Sequence, residues 1–393
     1  MCEIRKILTF IIILILLGSC QEQSIRQIEY KSIGDLSYQY NFNAHINYYF
    51  QQTQDGGEAA TDYSFVSEHQ RLINSLISKD TIAPISEEML TIIQEKYTPQ
   101  NAIEYILAEA EKHDFLMINE HHAIPQHRNF LNQLLPSLAE KGYTNLALEG
   151  FNNEKAYEIE IKENGYPSMH HGHYTKEPEF GNLLRHAHKL GFYIFGYHGE
   201  GEDGSAKNIL RKIKKGKTIV LCGWDHIKEG QTGTYWEYAL AGRIKEFSGK
   251  DPFTINQTQY FERADRKYED SLYQTQNFKE PTVLLDETKQ SIDLEKDRRW
   301  YDLFVFHPRT TFLEGIPDWI LKDKIISEFE IPEIEINCPC KVLLFEEGDD
   351  IQKAVPTYML EIPTLQKIVK MPVSKDSNYK ILVANKEVAY SIK

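Results

Sequence analysis

Phe115-Leu-Met-Ile-Asn-Glu-His-His122 sets four apolar residues directly against a glutamate and two histidines. So short and unbroken an apolar run fits a strand covered on both faces, the condition of a parallel sheet. The polar residues then mark the strand's carboxyl end. A crowded surface loop is the competing reading, and the flanking sequence decides between them. Asn145-Leu-Ala-Leu148 is a second strand candidate ending in Glu149. Phe192-Tyr-Ile-Phe195 is a third, followed by Tyr197 and His198, and Thr218-Ile-Val-Leu-Cys222 a fourth, followed by Asp225 and His226. Helical spacing fills the intervals at 126–141, 180–190, 206–214 and 235–247, with Pro136 expected to kink the first of these. Strands recur at 252–256 and 301–306.

Strands alternating with helices predict an α/β fold, a mostly parallel sheet flanked by helices, spanning residues 86–334. From 335 to 393 the pattern changes to short strands at 342–345, 368–371 and 379–383 without helical period. This predicts a small C-terminal antiparallel β-domain, sandwich-like in character. Residues 20–85 are polar and tyrosine-rich and read as a tether with a peripheral helical segment.

Residues past the carboxyl ends of successive parallel strands emerge along one edge of the sheet, where open α/β folds bind ligands. Eleven of the fourteen histidines lie between His113 and His226, so the chemistry belongs to this core. Glu120, His122, Glu149 and His226 are expected to share one crevice as the catalytic group. His121, His127, Arg128, His198, Asp225 and Arg309 are expected around a small-molecule or peptide substrate. Two chemistries suit such a group. One divalent metal held by Glu120, His122 and His226 would acidify a bound water. Alternatively, a carboxylate orients a histidine that acts as general base without metal.

Each residue also has a plainer role open to it. Glu120 and Glu149 could cap following helices. His127 and Arg128, on the first turns of a helix, suit either an anion site or a solvated face. Pro167-Ser-Met-His-His-Gly-His-Tyr174 resembles a metal-binding string but reads as a surface segment or a mobile flap. His186 and His188, two apart on a helix, face different ways and are structural. Cys222 belongs to the core, and Arg309 is explained as well by packing as by an anionic substrate.

Arg5 and Lys6 precede the apolar run Ile7–Leu17, and Leu17-Gly-Ser-Cys20 follows. This is the outline of an export signal, and the last four residues resemble the lipobox of bacterial lipoproteins, in which Cys20 would be acylated. The expected location is the bacterial cell envelope, outside the cytoplasm, with lipid as the only membrane attachment. A formal charge of -14 without a basic stripe excludes a nucleic-acid surface. Cys338-Pro-Cys340 is too close and stiff for a comfortable disulfide, and there is no zinc-ribbon spacing.

Met117-Ile-Asn-Glu-His-His122, Leu146-Ala-Leu-Glu149 and Val220-Leu-Cys-Gly-Trp-Asp-His226 resemble, over about residues 100–260, the superfamily joining erythromycin esterase-like enzymes, ChaN-like haem-associated lipoproteins and Tiki/TraB-like proteins. The Glu-x-His spacing at Glu120 and His122 is similar to the ChaN-like branch, while Asn119 stands where glycine is usual. Residue by residue, the resemblance implies Glu120, His122, Glu149 and His226 as site residues. It implies a hydrolase, or alternatively a lipoprotein that binds haem or another small ligand.

Overall fold

The computed structural model describes residues 25–28, 57–231, 237–294, 300–385 and 388–392. The apolar stretch 7–17 and Cys20 lie outside these. Among the described residues no helix is long and apolar enough to cross a membrane.

The α/β core is an eight-stranded sheet. Its strands are β2 (Thr98–Asn101), β3 (Phe115–Glu120), β4 (Tyr143–Leu148), β5 (Tyr193–Gly196), β6 (Lys217–Gly223), β7 (Phe253–Tyr260), β8 (Thr282–Leu285) and β9 (Leu303–Phe306). β1 (Ile25–Ile28) belongs to the second sheet described below. In space the core order is β2-β8-β9-β7-β3-β6-β4-β5. The stretch from β9 to β5 is parallel throughout, and β2 and β8 pair antiparallel at the other end. The fold is therefore α/β with a mostly parallel sheet, as the alternating pattern predicts.

The helices of the core are α3 (Glu87–Lys96), α4 (Ala102–Ala110), α5 (Pro125–Glu140), α6 (Lys155–Asn164), α7 (Pro178–Lys189), α8 (Gly201–Lys212) and α9 (Leu240–Ser248); α1 (Gly57–Phe65) and α2 (His69–Ser75) precede them. All six residues of β3 are buried because both faces are covered. Leu116 and Ile118 meet Phe130, Leu134 and Leu138 of α5 and Leu183 of α7. Phe115 and Met117, on the other face, meet Ile209 of α8 and Leu240 and Ile244 of α9. This double burial is why the strand reads as continuous rather than alternating. Truncating one of these leucines to alanine costs about 2–5 kcal/mol. α5 runs through Pro136 to Glu140; the ring falls in the last third of the helix, and the expected interruption is absent.

The second sheet is antiparallel, in the order β1-β17-β16-β13-β14, with β13 (Cys340–Glu346), β14 (Tyr358–Ile362), β16 (Tyr379–Ala384) and β17 (Ala389–Ile392). A separate ribbon of β12 (Ile325–Glu330) and β15 (Ile368–Val373) packs Val369, Met371 and Val373 against Val342 and Leu344 on one face. Met169 inserts among Leu343, Phe345 and Leu382 on the other. The Arg185 guanidinium donates to Asp349 at 2.6 Å, fastening α7 to this sheet. The pair α1–α2 packs Phe65, Leu72 and Leu76 against Ala123, Ile124 and Phe261, beside the loop that leaves β3.

Candidate functional site

Glu120 ends β3 and is buried, yet both its oxygens are occupied. Arg128 donates from Nε to Oε2 at 2.6 Å and from Nη2 to Oε1 at 3.2 Å, and His122 Nδ1 lies 2.9 Å from Oε1. Burial alone would raise this carboxyl, but the Arg128 charge and the His122 hydrogen bond outweigh it and hold it at about 2. With Glu120 ionised, His122 Nδ1 is the donor in this bond, and in the neutral ring Nε2 holds the lone pair. Tyr174 stacks on the His122 ring at 4.1 Å and 13°, fixing its plane.

β6 lies between β3 and β4, so its carboxyl end reaches the same edge. It ends in Gly223, and a methyl there would stand 2.6 Å from His122 Nε2. The lone-pair side of His122 therefore lies directly over the Gly223 backbone. The Gly223 N–H donates to Glu149 Oε2 at 2.6 Å. Glu149 follows β4, and its other oxygen is 3.6 Å from His226 Nε2. His226, on a short 3-10 turn after β6, presents Nδ1 to Glu202 Oε1 at 2.7 Å. Burial would lower the pKa of His226, but the Glu202 bond and the Glu149 charge raise it above its ordinary value. The structure thus brings Glu120, His122, Glu149 and His226 together as two histidine–carboxylate pairs meeting at Glu149.

The other expected residues divide. His121 lies beside the cluster, with Nδ1 accepting from the Ala123 N–H at 3.1 Å and its ring 4.3 Å from Trp224. Burial, then the nearby Arg263 charge, pushes its pKa down to about 3. His127 is fully buried and accepts from the His121 N–H at 3.0 Å; burial drives its pKa well below the usual value. Arg128 is fully buried as well, reaching Glu177 Oε2 at 3.1 Å and the His122 carbonyl at 2.8 Å. Neither an anion receptor nor a solvated face describes these two. The loop 121–124 folds over the helix start, and their side chains brace it. His198 is exposed, with its carbonyl bonded to Asn153 and Asn208. Asp225 pairs with Lys228 at 2.6 Å. Arg309 clasps Glu269 with two donors and is committed there.

In the segment 167–174 His170 and His173 are exposed, as a surface segment would have them, while the loop is anchored from beneath. His171 is buried, with its Nδ1 accepting from the Ser168 N–H at 3.1 Å. A methyl on Gly172 would fall 1.9 Å from the Gly150 carbonyl oxygen. The loop is locked onto the residue after Glu149, which is how Tyr174 reaches His122.

Among the described residues no group of three or more His, Cys, Asp or Glu side chains is arranged to hold a metal ion. Glu120, His122 and His226 fail as a set because Arg128 and His122 already occupy both oxygens of Glu120. The cavity beside the cluster, about 340 Å3, is lined by Asp225, Lys228, Asn256, Arg263 and Asp270 among others, a polar wall ill-suited to an apolar macrocycle.

Three residues absent from the expected set shape the site: Glu202, Tyr174 and Glu177. Glu202 follows β5 in Gly199-Glu-Gly-Glu-Asp-Gly204, the same strand-end position as the others, so the same logic carried four residues past His198 would have reached it. Trp224 stands at φ +41°, a left-handed conformation rare for so large a residue. Asn119 sustains it, donating to the Trp224 carbonyl at 2.9 Å and bonding Asn256 and Thr258 of β7.

The class this geometry defines is an open α/β fold with a histidine–carboxylate cluster at the carboxyl edge of its parallel strands. No family model matches the chain, and no curated protein matches it. Solved structures similar to it include ChaN of Campylobacter jejuni, described as binding haem cofacially, at 11% identity and TM-score 0.32 over 54% of this chain and 97% of that one. A Bacillus cereus protein is similar at 10% identity and TM-score 0.32, over 57% and 98% respectively. RRSP, a MARTX toxin effector domain of Vibrio vulnificus, is similar at 15% identity and TM-score 0.30 over 40% of this chain; the match spans only 36% of RRSP.

Proposed function

We propose that the protein is a hydrolase in which His122 activates water, carried on a chain anchored outside the cytoplasm through acylated Cys20. The observation that carries the reading is the Glu120–His122 pair: an ionised carboxylate at 2.9 Å orients the imidazole with Nε2 set over the Gly223 backbone. That is the orienter–base arrangement of general-base hydrolysis. His122 Nε2 takes a proton from water as the water attacks an acyl carbonyl. His226, its pKa raised by Glu202 and Glu149, stabilises the oxyanion in its protonated form and gives its proton to the leaving group; the proton held on His122 then passes through solvent to His226, restoring both rings. Glu149 holds His226 and the end of β6 in register. No step passes through a metal or haem.

The test is turnover of an ester, amide and peptide panel by the purified chain and by His122→Ala and His226→Ala. Each substitution should lower kcat/KM by about 10²–10⁴-fold. Absence of turnover across the panel, or turnover unmoved by both substitutions, overturns the reading. A Soret band gained on haemin titration and lost with His122→Ala would replace it with a haem-binding role. Mass spectrometry of the N-terminal peptide tests Cys20: an unmodified cysteine removes the anchor.

A further inference from the structure

The cavity of about 340 Å3 next to the histidine cluster is lined by a cation, Arg263, that has no carboxylate at ion-pair distance among the described residues. Glu269 is the carboxylate whose charge bears on Arg263, but Arg309 hydrogen-bonds both its oxygens. Arg263 engages Glu269 only through its backbone N–H, at 3.4 Å. Its guanidinium lies over the Phe261 ring at 5.0 Å and makes no ion pair or side-chain hydrogen bond among the described residues. It is partly buried, and burial pushes its pKa below the ordinary arginine value against the opposing charge of Glu269, so its desolvation is only partly offset. In a chain of formal charge -14, carboxylates to pair with are abundant.

The surrounding charges leave room for one more anion. Of the other charged groups on the cavity wall, Lys228 is matched by Asp225 at 2.6 Å and covers the Trp300 ring at 4.2 Å. Asp270 accepts from the Leu272 N–H at 2.9 Å and from Gln259, and burial raises its pKa. The cavity is joined to the catalytic cluster at two points. Asn256 and Thr258 on its wall bond Asn119, one residue before Glu120. Asp225, also on its wall, immediately precedes His226. Arg263 is near enough to His121 to depress that histidine's pKa.

We propose that Arg263 receives the anionic group, carboxylate or phosphate, of a small substrate whose reacting bond lies at His122 and His226. Guanidinium matches both oxyanions bidentately. The cavity volume is at the lower end of small-ligand sites, and Trp300 and Tyr268 on its wall suit a planar body behind the charge. The proposal deepens the hydrolase reading and rests on it only for the position of the reacting bond.

The experiment has a binding arm and a turnover arm, both on the purified full chain. Tryptophan fluorescence is titrated with benzoate, inorganic phosphate and the neutral control benzamide, for the wild type, Arg263→Gln and Arg263→Lys. Saturable binding of at least one anion, none of benzamide, a weakening of about 10- to 100-fold in Arg263→Gln and partial recovery in Arg263→Lys are expected, the worth of one charge-assisted bond. The anion that binds identifies the group. No anion binding to the wild type, or equal binding to Arg263→Gln, overturns the proposal. In the turnover arm, the 4-nitrophenyl ester of succinate should be preferred to that of acetate, and Arg263→Gln should erase the preference through KM with kcat retained. If neither ester reacts while benzoate binding still depends on Arg263, the hydrolase reading falls and the anion site stands.

Discussion

Replacing Arg128 with methionine tests the electrostatic frame of the site. The side chain is fully buried, and so are its two partners, Glu120 and Glu177. Methionine keeps an apolar stem against Phe180, whose ring the guanidinium now covers at 5.0 Å, but it strands two carboxyls. Breaking a buried pair by removing one partner costs about 3–5 kcal/mol, and that destabilisation is expected for Arg128→Met. Without the cation, burial governs both carboxyls and raises their pKa values. The deficit should therefore shrink on acidification from pH 7 to 5, as the stranded groups take up protons. Arg128→Met with Glu177→Gln should recover part of the loss, since one of the two becomes neutral. Urea unfolding gives the answer as a midpoint shift at unchanged slope. A loss below about 1 kcal/mol, or a double variant no better than the single, would refute the claim that Arg128 balances both glutamates.

Further outcomes follow from the same geometry. The buried histidines should take stability from the wild type as pH falls from about 6.5, against an opposite contribution from Glu177 and Glu229, whose carboxyls burial raises to about 7 and about 8. His69, His121 and His307 are held by burial at about 4, 3 and 3, and His127 well below its usual value, so the unfolded chain binds more protons there. Each contributes a slope of up to about 1.4 kcal/mol per pH unit, read as the difference in urea midpoints between pH 7 and 5 for the wild type and His307→Gln, where identical profiles would contradict neutral burial of His307. Gly223→Ala should leave the circular dichroism spectrum intact but lower kcat/KM about 100-fold or more, because its methyl meets His122 Nε2 at 2.6 Å. Gly172→Ala, with its methyl at 1.9 Å from the Gly150 oxygen, should cost at least about 1–3 kcal/mol by thermal unfolding. Glu202→Gln should lower the pKa of His226, followed by NMR titration of its ring; an unchanged value would remove Glu202 as the group that raises it.

The class of fold was legible because strands covered on both faces cannot alternate, and β3, β4 and β6 each carry an uninterrupted apolar run. The meeting of Glu120, Glu149 and His226 was legible because parallel strands end on one edge. What hides in the sequence is spatial order. Nothing in Thr218–Cys222 says that β6 slips between β3 and β4, yet that insertion sets Gly223 under His122. The burial of Arg128 is equally hidden, since it depends on Glu177, forty-nine residues away. The string at 167–174 divides, with His170 and His173 exposed and His171 buried, and the close approach of Gly172 to the Gly150 carbonyl that fixes it has no signal in the sequence. Asn119 gave no warning that its amide would restrain Trp224.

One pairing carries a mechanical consequence. Ile25–Ile28 zips onto Ala389–Ile392, so the earliest described residues close the far end of the chain into the same sheet. Residues 21–24 alone separate that sheet from Cys20, a leash of roughly 17 Å when fully stretched. With an acyl chain at Cys20, the terminal sheet would ride against the bilayer as a rigid foot, and a pull on the anchor would load the β1–β17 seam before any part of the crevice felt it.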